Sequence, residues 1–172
     1  MDEEDANMVL TINWQRLVTD DGQTCGRCGS TQEELRKAIE TLQESLRPLG
    51  IEIASVEEAL TIEECAADIV QSNRIVIRDR TLEEWLGGEV GQSLCESCCS
   101  AIGEEVECRT ACVDGITYDV IPAELIVRAG LLAASQMMRA PSASQCCPGT
   151  ADPCDTDALC RPECESDKGT TT

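Results

Sequence analysis

The chain has 172 residues, 42% of them hydrophobic but only 2% aromatic and none Phe, so one domain with an aliphatic core is expected, plus an appendage. Its 33 acidic and 13 basic side chains leave a formal net charge of −20, which excludes nucleic-acid binding by phosphate neutralisation. There is no His, so imidazole acid–base catalysis and His-ligated metal sites are excluded as well.

Lys37 and Lys168 are the two lysines; the other bases are Arg. An acid-rich, Lys-poor surface repels itself in dilute salt and suits a halophilic source, where screening acts within about 3 Å at 1 M. The most apolar run, residues 125–134, is interrupted by Arg128 and is too short to span a bilayer. The acidic opening Met1-Asp2-Glu3-Glu4-Asp5 lacks the basic-then-apolar order of a signal peptide, so a cytoplasmic location is expected, with no membrane partner. In that compartment thirteen cysteines point to metal binding or thiol chemistry rather than to a secreted disulfide frame.

Taken in chain order, residues 1–7 read as an acidic mobile start. Residues 8–14 are β-rich and predict a buried first strand, and Asp20-Asp21-Gly22 signals a turn. A loop follows with Cys25-Gly26-Arg27-Cys28. Ser30 with Glu33, or Thr31 with Glu34, has capping-box spacing, so a helix is predicted from Ser30. Leu35, Ile39, Leu42, Leu46 and Leu49 form one stripe along it, and Pro48 and Gly50 stop it. Residues 51–56 alternate like a half-buried strand. Thr61 with Glu64 opens a short helix carrying Cys65, a position read as core filler. Residues 74–78 form the next strand, and Thr81 with Glu84 caps a short helix that ends at Gly87-Gly88.

Residues 91–104 read as a loop that carries Cys95, Cys98 and Cys99. A β-hairpin is predicted over residues 106–113 and 116–120, turning at Asp114-Gly115, with Cys108 and Cys112 on one face of its first strand. Pro122 then suits the first turn of a mostly apolar helix over residues 123–139. Residues 140–172 are rich in Pro, Ser, Thr and Asp and read as a disordered, Cys-rich tail with Cys146, Cys147, Cys154, Cys160 and Cys164. The resulting order predicts an α/β fold, a mixed sheet flanked by helices, with a Cys-containing insert before a terminal hairpin and helix.

The chemistry is expected at sulfur. Two thiols three residues apart, at the mouth of a helix, can close a small disulfide ring or clamp a soft metal. The partial positive charge of the first helical turn favours thiolate there. Cys95, Cys98, Cys99, Cys108 and Cys112 are candidate metal ligands or members of a redox relay. A tetrahedral zinc site needs two ligands beyond Cys25 and Cys28, for which Cys95 and Cys98 are the nearest in kind. The vicinal pair Cys146 and Cys147 suits mercury, arsenite or copper(I). The paired acids at 33–34, 57–58, 63–64 and 83–84 read as helix caps and solvated faces, and Trp14 and Trp85 as packing residues.

The Cys25-Gly26-Arg27-Cys28 motif between the first strand and the long helix resembles the thioredoxin fold. Ser72-Asn73-Arg74-Ile75-Val76-Ile77, Leu82-Glu83-Glu84-Trp85-Leu86-Gly87 and Tyr118-Asp119-Val120-Ile121-Pro122-Ala123-Glu124-Leu125-Ile126 narrow the resemblance to an uncharacterised prokaryotic family of thioredoxin-like proteins, a domain of unknown function, over residues 8–138. The resemblance implies thiol–disulfide exchange in which Cys25 attacks and Cys28 resolves, with a disulfide-bearing protein as partner and no cofactor required. The alternative is a protein that binds or sequesters a thiophilic metal or metalloid (mercury, arsenic, copper or zinc) through clustered thiolates.

Overall fold

The computed structural model describes residues 8–139. The elements are β1 (Met8–Leu17), α1 (Gly26–Leu46), β2 (Ile51–Leu60), α2 (Ile62–Ala67), β3 (Arg74–Ile77), β4 (Arg80–Thr81), α3 (Leu82–Leu86), β5 (Glu89–Leu94), α4 (Glu96–Ile102), β6 (Glu107–Val113), β7 (Ile116–Tyr118) and α5 (Ala123–Arg139). They form an α/β fold with two sheets. The first has strand order β2-β1-β3-β4, with β1 and β2 parallel and the other pairings antiparallel. The second is the antiparallel meander β5-β6-β7.

Alternation along β1 places Leu10, Ile12 and Trp14 on one face, all fully buried. The long helices α1 and α5 cover that face with Leu35, Ala38, Leu42 and Leu46 from one and Leu125, Ile126, Ala129 and Ala133 from the other. Residues of the opposite face, such as Val9 and Val56, are exposed. The α1 stripe is therefore used as its spacing predicts, except at its end. Pro48 tightens the chain into a 3-10 turn over Arg47–Leu49, and this leaves Leu49 in solvent. The two helices approach closely at Gly130, where an added Cβ would lie 2.7 Å from Leu42.

Local signals set several boundaries. Thr61 with Glu64 and Thr81 with Glu84 both form the full reciprocal capping box. Asp114 and Gly115 both take positive φ, as the tight hairpin turn requires. Two expectations are corrected. Residues 91–104 are not a loop: residues up to Leu94 pair with β6 from Glu89↔Cys112 to Leu94↔Glu107, and Glu96–Ile102 is helical. The weak β propensity of Gly91-Gln92-Ser93 is overridden by that pairing. Helix α1 also starts earlier than Ser30, at Gly26, with Cys25 as its N-cap. Thr31 and Glu34 do not cap it. They instead accept the backbone N–H groups of Ile121 and Ala123, and so anchor the start of α5.

A buried ion pair joins the meander to the rest. Arg109 of β6 is bound in a fork by Glu83 of α3, at 3.1 and 2.9 Å, and donates to the Val70 carbonyl at 3.1 Å. Both side chains are within a few percent of full burial. Removing one partner strands the other without water, so Glu83→Ala is expected to cost about 3–5 kcal/mol in urea unfolding. The double replacement Glu83→Leu with Arg109→Met should recover most of that loss.

Candidate functional site

Cys25 stands at the mouth of α1 with extended backbone angles, φ −67 and ψ 158, as an N-cap requires. Its Sγ accepts the Cys28 backbone N–H at 3.4 Å. No acidic side chain lies in the first turn of α1, so the helix's positive end acts on the sulfur unopposed. Cys25 is half-buried, whereas Cys28 is only 1% exposed. Ser72, just before β3, faces Cys28 with Oγ 3.7 Å from its Sγ, and the same hydroxyl accepts the Leu17 backbone N–H.

The second Cys-x-x-Cys comes from the corner between β5 and α4. Cys95 is the N-cap residue of α4 and Cys98 lies in its first turn. Both are buried. The sulfurs of Cys25, Cys95 and Cys98 all lie within 4.8 Å of one another. Cys108 of β6 and Cys65 of α2 join Cys95 and Cys98 in one apolar cluster with Leu17 and Leu60. A cleft of about 280 Å³ reaches Cys25 from solvent, past Thr19, Asp21, Gln23 and Ser97.

These contacts separate the thiols in acidity. Cys25 is held far below its ordinary value, first by a hydrogen bond from the Cys28 thiol and then by one from the Cys98 thiol, against the opposing effect of burial. Cys28 is pushed up, first because its proton serves the Cys25 sulfur and then by burial. Cys98 is pushed up because its proton serves the sulfurs of Cys108 and Cys25. Cys108 is lowered to about 7, first by its hydrogen bond with Cys98. Burial raises Cys95 and takes Cys65 up to about 11. The result is a negative charge favoured at Cys25, with the protons kept on Cys28 and Cys98.

Arg27 holds the two halves of this site together from inside the first motif. Its guanidinium donates to the carbonyls of Leu94 at 3.1 Å and of Ser93 and Cys108 at 3.5 Å, and lies 3.5 Å from the Asp119 carboxylate. The mouth of α1 is thereby fastened to β5 and β6.

A family model described as "Domain of unknown function (DUF2703)" matches residues 10–130. The chain belongs to the DUF2703 family. A relative from Archaeoglobus fulgidus, described as an uncharacterized protein, is 43% identical over 119 residues, which covers 69% of this chain and 83% of that one. No solved structure matches the chain. The matched span of the DUF2703 domain takes in both Cys-x-x-Cys motifs, Arg27 and Cys108.

Of the residues singled out from sequence, Cys25, Cys28, Cys95, Cys98 and Cys108 are brought together. Cys99 is turned to the α4–β6 connection, where it accepts the Val106 N–H at 3.3 Å. Cys112 shares a strand face with Cys108, but four residues along an extended strand is about 13 Å. It lies against the Thr117 hydroxyl instead. Cys146 and Cys147 lie outside the described residues. Cys65, Ser72 and Arg27 are neighbours that sequence reasoning did not assign to the site. Their only signals are a thiol in a capped helix, a hydroxyl just before a strand, and a base between two cysteines. Among the described residues no helix is long and apolar enough to cross a membrane.

Arg27→Ala should destabilise the domain by about 1.5–3 kcal/mol, the range for hydrogen bonds to a charged group. It should also speed alkylation of buried Cys98, measured by peptide mapping. Unchanged stability and Cys98 labelling would show that the latch is not needed.

Proposed function

We propose that this domain carries out thiol–disulfide exchange through Cys25 and Cys28. The observation that carries the reading is the asymmetry of the pair: a half-exposed sulfur at the mouth of α1 that favours thiolate, backed by a buried thiol that keeps its proton. The Cys25 thiolate attacks one sulfur of a partner's disulfide and forms a mixed disulfide, and the partner's other sulfur leaves as thiolate. Cys28 then gives up its proton and attacks Cys25 Sγ. The Cys25–Cys28 disulfide closes and the partner leaves as a dithiol. Two electrons have passed from the pair to the partner, and a second dithiol, of the kind a reducing cytoplasm supplies, restores the pair.

The placing of the motif between β1 and α1 supports a thioredoxin-like reading. So does a sheet in which β1 and β2 run parallel while β3 and β4 return antiparallel. A disulfide-bearing protein is the partner this chemistry requires. A second reading, binding of a thiophilic metal or metalloid, is favoured by the convergence of Cys25, Cys95 and Cys98. All donors in that cluster are sulfur, which suits soft ions and leaves hard cations unsatisfied.

Reduction of a model disulfide separates the roles of the pair. Cys25→Ser should abolish turnover, whereas Cys28→Ser should stop after one event with the mixed disulfide trapped on Cys25. Equal turnover by Cys25→Ser and the unaltered chain would remove the reading. Metal analysis of anaerobically purified protein tests the second reading, with a stoichiometric soft ion the supporting result.

A further inference from the structure

The convergence of Cys25, Cys95 and Cys98 has a specific stoichiometry. Each pair of their sulfurs is within 4.8 Å. Sulfurs bound at about 2.3 Å from one centre stand about 3.8 Å apart, so a common ligand needs only a small closure of the cluster. Cys108, although packed in the same cluster, does not extend that mutual set to four among the described residues. The geometry therefore offers three sulfurs, not a tetrahedral cage.

Coordination number decides which ion fits. The cluster is walled by Leu17, Leu60, Ile62, Ile69, Ile102 and Val106, which offer no fourth donor. The positive end of α1 already favours one negative charge at Cys25, so the number of ligands an ion needs separates the candidates more sharply than charge does. Three thiolates around a divalent ion carry a net charge of minus one and leave a coordination position open. Three thiolates around a trivalent metalloid are neutral, and the metalloid's lone pair needs no fourth ligand. The half-exposed position of Cys25, at the foot of the cleft past Thr19 and Ser97, supplies an entry path.

We propose that Cys25, Cys95 and Cys98 form a three-thiolate site for a trivalent metalloid of the arsenite class, and that its occupation silences exchange by taking the attacking sulfur. The binding step balances without an oxidant: arsenous acid, the Cys25 thiolate, the thiols of Cys95 and Cys98 and one proton from solvent give an arsenic trithiolate and three waters, two hydroxyls leaving with the thiol protons and the third with the solvent proton. The silencing half rests on Cys25 being the attacking thiol, as proposed above; the binding half does not.

The test uses the full chain with Cys146, Cys147, Cys154, Cys160 and Cys164 replaced by serine, fully reduced and titrated with arsenite. One arsenic per chain is expected by native mass spectrometry, with three sulfur neighbours by X-ray absorption. Cys95→Ser or Cys98→Ser should weaken binding by about 100-fold or more, beyond the loss produced by an outer partner. Cys28→Ser, which keeps a hydroxyl beside Cys25, should cost far less than either. The absorption spectrum is read on the intact cluster, so the site is judged even where a serine variant fails to fold. Two sulfurs and an oxygen around arsenic, or a loss in Cys28→Ser equal to that in Cys98→Ser, would overturn the site in favour of a Cys25–Cys28 chelate. Displacement of bound arsenite by equimolar zinc would overturn the assignment to a trivalent ion.

Exchange is assayed separately with and without arsenite. Undiminished turnover at saturating arsenite would overturn the silencing. Absent turnover in arsenite-free protein, with three-sulfur binding intact, would sink the exchange reading and leave the site standing.

Discussion

The site depends on how one short turn of chain is held open at the start of α1. Cys25 caps the helix with its sulfur, Cys28 turns beneath it into the core, and Arg27 between them reaches outward to three carbonyls of the neighbouring sheet. The three residues do different work because Cys25 stands outside the helix as its extended N-cap, whereas Arg27 and Cys28 lie in the first turn about 100° apart. One thiol is half-buried at the cleft, one is buried in the core, and the base between them binds the second sheet; the Cys98 sulfur of α4 lies within 4.8 Å of that of Cys25. That fastening acts together with the apolar cluster of Leu17, Leu60, Cys65, Cys95, Cys98 and Cys108, against which Cys25 packs.

The rest of the domain makes that turn rigid. The face of β1 that carries Leu10, Ile12 and Trp14 fixes α1 from below, and α5 fixes it from the side. Several polar groups that enter the core are paired in series. Trp14 donates to the Asn73 side chain, Asn73 donates to the Asp119 carbonyl, and Asp119 lies beside Arg27. This chain of contacts links the centre of the first sheet to the mouth of α1. The Glu83–Arg109 pair does the same for β6, the strand that carries Cys108. These satisfied pairs sit at the junctions between elements, where they select one relative placement of the two sheets.

The legible parts of the fold are those whose cause is local. Capping boxes at Thr61 and Thr81, the turn at Asp114-Gly115 and the stripe of Leu35, Leu42 and Leu46 each carry their reason within a few residues. The illegible parts are long-range. Thr31 and Glu34 look like a local cap, yet they bind backbone about ninety positions away. Strand β5 exists because β6 pairs with it, and nothing in Gly91-Gln92-Ser93 announces it. At the site, the Cys25/Cys28 pair was legible from its spacing and context. Selection of Cys98 and Cys108 over Cys99 and Cys112 was not, because Cys98 and Cys99 are neighbours on α4 and Cys108 and Cys112 share a face of β6, and only long-range packing separates the members of each pair.

The central claim is that Cys25 carries the charge and Cys28 the proton. Carbon-13 labelling at the cysteine Cβ reports the state of each sulfur separately, and a titration followed by NMR tests the claim most directly. The account predicts a Cys25 resonance already in its thiolate position at neutral pH, and a Cys28 resonance that stays in its thiol position past the ordinary thiol value of about 8.5. Both resonances titrating together near that value, or Cys28 losing its proton first, would contradict it.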